Sequence, residues 1–108
     1  MASLNKVMLI GRLGKDPELK NLQSTQVCNF SIATSDKYKD KAGNTQEKTE
    51  WHNIVAFGKQ AEVCGKYLAK GNQVFVEGRL QTSSYDKNGQ TVYSTKIIVS
   101  SIQFLGSK

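Results

Sequence analysis

An all-β fold, a five-stranded barrel with one helix between strands three and four, is what the sequence predicts. Three observations predict it. Apolar and polar residues alternate with period two over Val27 to Ser35, Thr49 to Phe57 and Asn72 to Thr82, the pattern of strands with one buried face. A single stretch, Lys59 to Lys70, changes to helical spacing. Asn88-Gly89, the strongest two-residue hairpin signal in the chain, then joins the last two strands.

Strand one lies in Ser3 to Leu13, around the continuous apolar run Val7 to Ile10. That run is too short for a lone helix and suits a strand covered on both faces. Gly11 and Gly14 interrupt it, as glycine does where a small barrel turns a corner. Asp16-Pro17 begins a turn, and the polar segment Lys20 to Gln26 reads as a loop with Leu22 tucked inward. Strand two, Val27 to Ser35, carries Cys28, Phe30 and Ile32 on one face and Asn29, Ser31 and Ala33 on the other.

Asp36 to Lys48 reads as a long hairpin loop or extended ribbon with Ala42-Gly43-Asn44 at its tip. Lys37, Tyr38, Lys39 and Lys41 interleave a ring with cations there, as a nucleic-acid arm would. Asp36, Asp40 and Glu47 cut the local charge to about +1, so a solvated loop fits equally well. Strand three, Thr49 to Phe57, puts His52, Ile54 and Ala56 on a plausible interior face and Trp51, Asn53, Val55 and Phe57 on the other. Two large aromatics followed by Lys59 suit a surface on which flat π-systems stack. The competing reading makes Trp51 and Phe57 core or interface residues. Their shared parity with polar Asn53, opposite a face already apolar, argues against it.

In the helix, Ala61, Cys64 and Leu68 share a face, Tyr67 stands beside them and Gly71 is placed to cap the end. Gly65 costs about 1 kcal/mol relative to alanine, so packing on the barrel must hold the helix. Strand four directs Val74, Val76 and Leu80 inward and Gln73, Phe75, Glu77, Arg79 and Gln81 outward, where Phe75 would be exposed unless it meets another subunit. A loop holding Tyr85 and Lys87 leads to strand five, Thr91 to Leu105. Three strands, a helix and two strands, with long loops after strands one and four, is the order of an oligonucleotide- and oligosaccharide-binding (OB) barrel. Such barrels take ligands across strands two and three.

With 108 residues there is room for one domain spanning residues 1–108. Fifteen basic against nine acidic residues give a net charge of +6, which favours a polyanionic partner. Thirteen of the fifteen are lysines; only Arg12 and Arg79 offer the rigid fork that reads a base edge. Mobile point charges suit a backbone contacted regardless of sequence. No apolar run is long enough to cross a bilayer and no leader is evident, so the expectation is a soluble, cytoplasmic protein. Cys28 and Cys64 have no CxxC spacing and the chain has one histidine, too few soft ligands for structural zinc. Buried, reduced thiols are expected. Asp16, Asp40 and Asp86 are scattered over expected turns and no nucleophile motif occurs, so neither an enzyme nor a metal or cofactor is expected. A structured-RNA module on the same barrel is the neighbouring alternative.

The blocks Asn5-Lys6-Val7, Gly11-Arg12-Leu13-Gly14-Lys15-Asp16-Pro17-Glu18, Thr49-Glu50-Trp51-His52, Phe57-Gly58-Lys59, Tyr67-Leu68, Lys70-Gly71 and Val76-Glu77-Gly78 occur in the right order. Together they closely resemble the bacterial single-stranded DNA-binding proteins over essentially the whole chain. The resemblance implies a homotetramer of OB barrels that wraps single-stranded DNA in replication, recombination and repair. By motif it implies stacking at Trp51 and Phe57, with Tyr38 and Tyr85 at positions usually held by tryptophan. It implies phosphate contacts by Lys39, Lys41, Lys59 and Lys70, and subunit contacts by His52 and Gly14. Phe75 is the third interface candidate, on its outward parity alone. Asn53 and Ser83-Ser84 depart from the family, whose members often carry basic residues there. A glycine-rich linker and acidic tip, common in the family, are absent from this sequence, so repair and replication partners recruited by a tail are expected only if a tail is missing from it.

Overall fold

The computed structural model describes residues 3–106. Its elements are β1 (Val7–Leu13), β2 (Glu18–Asn21), β3 (Gln26–Lys39), β4 (Thr45–Phe57), α1 (Lys59–Tyr67), β5 (Gln73–Lys87) and β6 (Gln90–Gly106). The sheet runs β1-β5-β6-β4-β3-β2, and an additional β1–β3 pairing closes five of these strands into the expected barrel. Both closures are short. β4 and β6 pair in parallel at Ile54↔Ile97 and Val55↔Ile98, and β1 meets β3 at Arg12↔Ala33 and Leu13↔Ile32. Long antiparallel ladders, β3 with β4 and β5 with β6, supply most of the hydrogen bonding.

Strand alternation fills the interior. Cys28, Phe30 and Ile32 of β3 meet Ile54 and Ala56 of β4, Val74 and Val76 of β5 and Ile97 and Val99 of β6. Helix α1 plugs the barrel with Ala61 and Cys64, both fully buried. Its first turn has no side-chain cap and begins from Gly58 at φ 64°, so packing holds it in place. Both cysteines are free thiols; burial raises the pKa of Cys28 and pushes that of Cys64 to about 12, which leaves the pair protonated and unreactive at neutral pH. Among the described residues no helix is long and apolar enough to cross a membrane.

Two strands approach closely at Gly78. The β5–β6 register shifts between Glu77 and Gly78, and a Cβ on Gly78 would fall on the carbonyl of Ile98. Gly11 plays the expected corner role, since a Cβ there would lie 2.6 Å from the Ala33 oxygen where β1 leaves β5 for β3.

Several expectations are corrected. Part of the segment read as a loop over Lys20 to Gln26 is strand β2, hydrogen-bonded to β3 from Glu18↔Asn29 to Asn21↔Gln26. Leu22 is 56% exposed rather than inward, because it sits in the tight turn where its N–H donates to the Thr25 carbonyl. Leu80 is exposed as well: β5 has passed the bulge and is leaving the barrel. The Asn5 side chain brackets Leu80 there, accepting its N–H and donating to its carbonyl, both at 2.9 Å. The helix stops at Tyr67, and Leu68 is buried from an extended backbone rather than a helical one. Gly71 therefore does not cap it; its N–H donates instead to the Leu13 carbonyl. Phe75 is half-buried in the single chain, not exposed.

Of the two readings of Asp36 to Lys48 the extended ribbon holds, and the segment around Tyr85 and Lys87, read as a loop, is a paired ribbon as well. β3–β4 pairing continues to Lys39↔Thr45, and β5–β6 to Lys87↔Gln90 around Asn88 (φ 52°) and Gly89 (φ 80°). Asp40 organises the first tip: Oδ1 accepts the N–H groups of Ala42 and Asn44 and Oδ2 accepts Gln46. Those bonds, the one from Asn44 foremost, hold its carboxyl below the usual range. The ribbons stretch the molecule to 55 × 40 × 36 Å, with a radius of gyration of 16.1 Å. About 13 Å would suit a compact chain of this length.

Candidate nucleic-acid interface

The outer face of β3–β4 is set by pair parity. Trp51 lies opposite Ala33, Asn53 opposite Ser31, Val55 opposite Asn29 and Phe57 opposite Val27. Small neighbours leave the rings projecting: Trp51 is 59% and Phe57 46% exposed. Ser31 Oγ donates to Asn53 Oδ1 at 3.4 Å between them. The benzo edge of the indole rests on Gly14, where a Cβ would fall 2.5 Å from Trp51 Cζ3 and 2.6 Å from Cη2. Gly14, expected at a subunit contact, thus has a role within the chain. Gly14→Ala is expected to displace the indole, shift the Trp51 emission maximum and weaken ligand binding several-fold with little loss of thermal stability. Fluorescence of the variant against an unchanged melting curve checks it.

Two hollows form one trough across this face. The first, about 450 Å³, is lined by Lys15, Lys20, Ser31 and Asn53 among others. The second, about 330 Å³, is lined by Val27, Phe57, Gln81 and Ser83 among others. Asn29, Val55 and Lys96 line both, and Val55, 5% exposed, is the floor. Asp16 and Glu18 also border the first hollow, and Lys20 is bridged to Glu18 at 3.1 Å. Such a trough, with Phe57 in its lining, Trp51 beyond Asn53 on the same strand face and lysines along it, can take a flexible anionic chain whose flat groups need a face to lie on.

The tyrosines sit on the ribbons, each 53% exposed. Tyr85 shares parity with Gln81 and Ser83, so it continues the trough outward along β5. Tyr38, opposite Gln46, has the other parity from Trp51, and only the strong twist of a free two-stranded ribbon could turn its ring toward the trough. Lys39 and Lys41 are exposed on that ribbon and its tip. Lys70 flanks the first hollow, its N–H donating to Asp16 Oδ1 at 2.9 Å. Lys59 instead borders a separate hollow with Gln60, Val63, Ser101 and Ile102. His52 is half-buried, with Nε2 2.9 Å from Thr34 Oγ1. Phe75 lies opposite Ile10 on the outer face of β1–β5, beside Met8, and Met8 and Ile10 are 58% and 54% exposed.

Sequence reasoning missed Lys15, Lys20 and Lys96 in the trough and Tyr93, 72% exposed on β6. The available signal was parity across the final hairpin, which sets Lys96 opposite Gln81. Among the described residues no three His, Cys, Asp or Glu side chains gather in a way that could hold a metal ion.

The sequence profile of the single-strand binding protein family matches residues 4–105. The chain belongs to that family. Single-stranded DNA-binding protein 1 of Chlorobaculum tepidum is 56% identical over 108 residues, which cover 97% of this chain and 67% of the relative. The protein of the same name from Xylella fastidiosa is 49% identical over 111 residues, covering all of this chain and 82% of the relative. Among solved structures, the Plasmodium falciparum SSB complex with ssDNA superposes with a TM-score of 0.89 at 39% identity and covers 97% of both chains. A deletion mutant of the single-stranded DNA-binding protein from Thermus aquaticus gives a TM-score of 0.83 at 30% identity, over 97% of this chain and 52% of that one. The resemblance noted from the sequence blocks and the OB barrel is therefore borne out.

Proposed function

We propose that this single-strand binding family member binds single-stranded DNA without regard to sequence. Bases stack on Trp51, Phe57 and Tyr85, Tyr38 joins when its ribbon turns, and lysines at the trough and its margins contact phosphates. The observation that carries the reading is a pair of rings on one strand face, both open to solvent, with Phe57 lining a lysine-bearing trough and Trp51 two residues beyond its Asn53 wall. A base in a duplex is already stacked and cannot offer its face, so single strands are selected. Every base has a π-face, so sequence matters little.

Lys39, Lys41, Lys59 and Lys70 act by counterion release. If each neutralises one phosphate, log K falls against log salt with a slope of about −3. Titrating the protein with poly-dT is expected to quench Trp51, the only tryptophan, with affinity falling as salt rises. No quenching at low salt would overturn the reading. Competition between dT and rU oligomers separates it from an RNA-binding role; DNA is expected to win.

The assembly we propose is a homotetramer, supported by the apolar strip of Met8, Ile10 and Phe75 on β1–β5. His52 and Gly14 belong to its contacts by family likeness. We place the protein in replication, recombination and repair in the cytoplasm, acting by binding and not by catalysis. Recruitment of other proteins through a tail would need residues beyond this sequence. Mass in solution, with and without a dT oligomer, checks the assembly.

A further inference from the structure

We propose that Lys96 is the central phosphate contact of the trough, the cation at its waist that holds a bound strand down between the Trp51 and Phe57 stacking positions; this rests on the single-strand DNA reading above. Lys96 lines both hollows, and with Asn29 and Val55 it marks where they join. In the first hollow Lys15 and Lys20 are offset by Asp16 and Glu18, and Lys20 is already bridged to Glu18. In the second hollow Lys96 is the one charged lining residue among those described, facing the uncharged Gln81 and Ser83. The three salt bridges among the described residues join Lys6 to Glu77, Lys20 to Glu18 and Lys48 to Glu50, so no carboxylate holds Lys96.

Its position is also firm. Lys96 stands opposite Gln81 in the β5–β6 ladder, directly before Ile97, which is 4% exposed in the core and pairs with Ile54 of β4. The backbone at its root is therefore fixed by the barrel, while the ammonium remains mobile at the end of its stem. A strand running from Phe57 toward Trp51 must pass over Val55, and its backbone then crosses beside Lys96. None of the four lysines expected from the sequence lines the trough. Lys39 and Lys41 are on the ribbon and its tip, Lys70 flanks the first hollow and Lys59 borders a separate one. Lys96 supplies what they do not, positive charge between the rings.

The test measures oligo-dT affinity against salt for the full chain and for Lys96→Gln, Lys96→Arg and Lys66→Gln. Lys66 lies outside the trough, 5.8 Å from the Tyr67 ring on α1, and its loss removes the same charge. Loss of one phosphate contact is expected to flatten the salt slope of Lys96→Gln by about 0.7 and to lower affinity about fivefold at 0.1 M salt. Saturating quench of Trp51 and the melting temperature stay as in the parent. Lys96→Arg keeps the parent slope, and Lys66→Gln binds as the parent does. Equal slopes for Lys96→Gln and Lys66→Gln, with the parent still quenched by dT, would overturn the role of Lys96 and leave the binding reading standing. A parent protein that dT does not quench would overturn both.

Discussion

Trp51→Ala is expected to weaken binding of a dye-labelled dT oligomer by about 1 to 3 kcal/mol, or roughly 5- to 150-fold, the usual loss when one base loses its stacking face. The label is required because the chain has no other tryptophan to report binding. Stability should hardly change, since 59% of the residue is already exposed and its removal leaves no cavity in the core. The salt slope should not change either, because no charge is lost. These features separate stacking from its competitors. A loss through misfolding would lower the melting temperature, and a loss through phosphate contacts would flatten the slope. Trp51→Phe should recover much of the affinity, since a smaller ring still offers a face. Full affinity in Trp51→Ala would remove stacking at this position from the mechanism.

A second large effect falls on the fold. Gly78→Ala is expected to destabilise the protein by about 1 to 3 kcal/mol or more, because the added Cβ meets the carbonyl of Ile98 and no side-chain rotation can relieve a backbone collision. For a domain of this size each kcal/mol moves the melting midpoint by roughly 4 to 8 °C. Thermal melts followed by far-ultraviolet circular dichroism read the shift directly. Gly89→Ala is the comparison, for nothing lies within 4 Å of its Cβ and only its positive φ of 80° is strained. If the two variants melted together, the close crossing of β5 over β6 at Gly78 would not matter as described.

Where burial repeats, the sequence was readable. Cys28, Phe30 and Ile32 against Asn29 and Ser31, and Ile54 and Ala56 against Trp51, Asn53 and Phe57, differ because one face of each strand lies in the barrel and the other lies outside. The same contrast made the two rings legible as surface residues. It fails wherever a strand has no inside. All four residues of β2 are exposed, so no alternation marks it. Leu19 of that strand lies against α1, where a Cβ on Gly65 would come within 2.9 Å of it. A glycine that looks like a weak point in the helix is thus the space into which an unforeseen strand docks.

The ribbons were only partly legible for the same reason: beyond Ser35 on β3 and beyond Gly78 on β5 nearly every residue is exposed, so the first read equally as loop or ribbon and the second as a loop. Lys96 was hidden differently. It precedes Ile97-Ile98-Val99, an apolar run without alternation, so its parity is readable only by counting back across the Asn88-Gly89 hairpin to Gln81. Nor could spacing reveal that Gly14 supports Trp51, since that contact joins residues far apart in sequence.

The barrel's parallel join, two residue pairs between β4 and β6, has a consequence for how occupancy would be felt by the protein. A cylinder frays first along its short zips, and at this one Ile54 and Val55 on one lip and Ile97 and Ile98 on the other are all that is fastened. A polymer lying over Val55 and tethered at Lys96, as proposed, would span both lips like a suture, and part of its binding energy would go into keeping the cylinder shut.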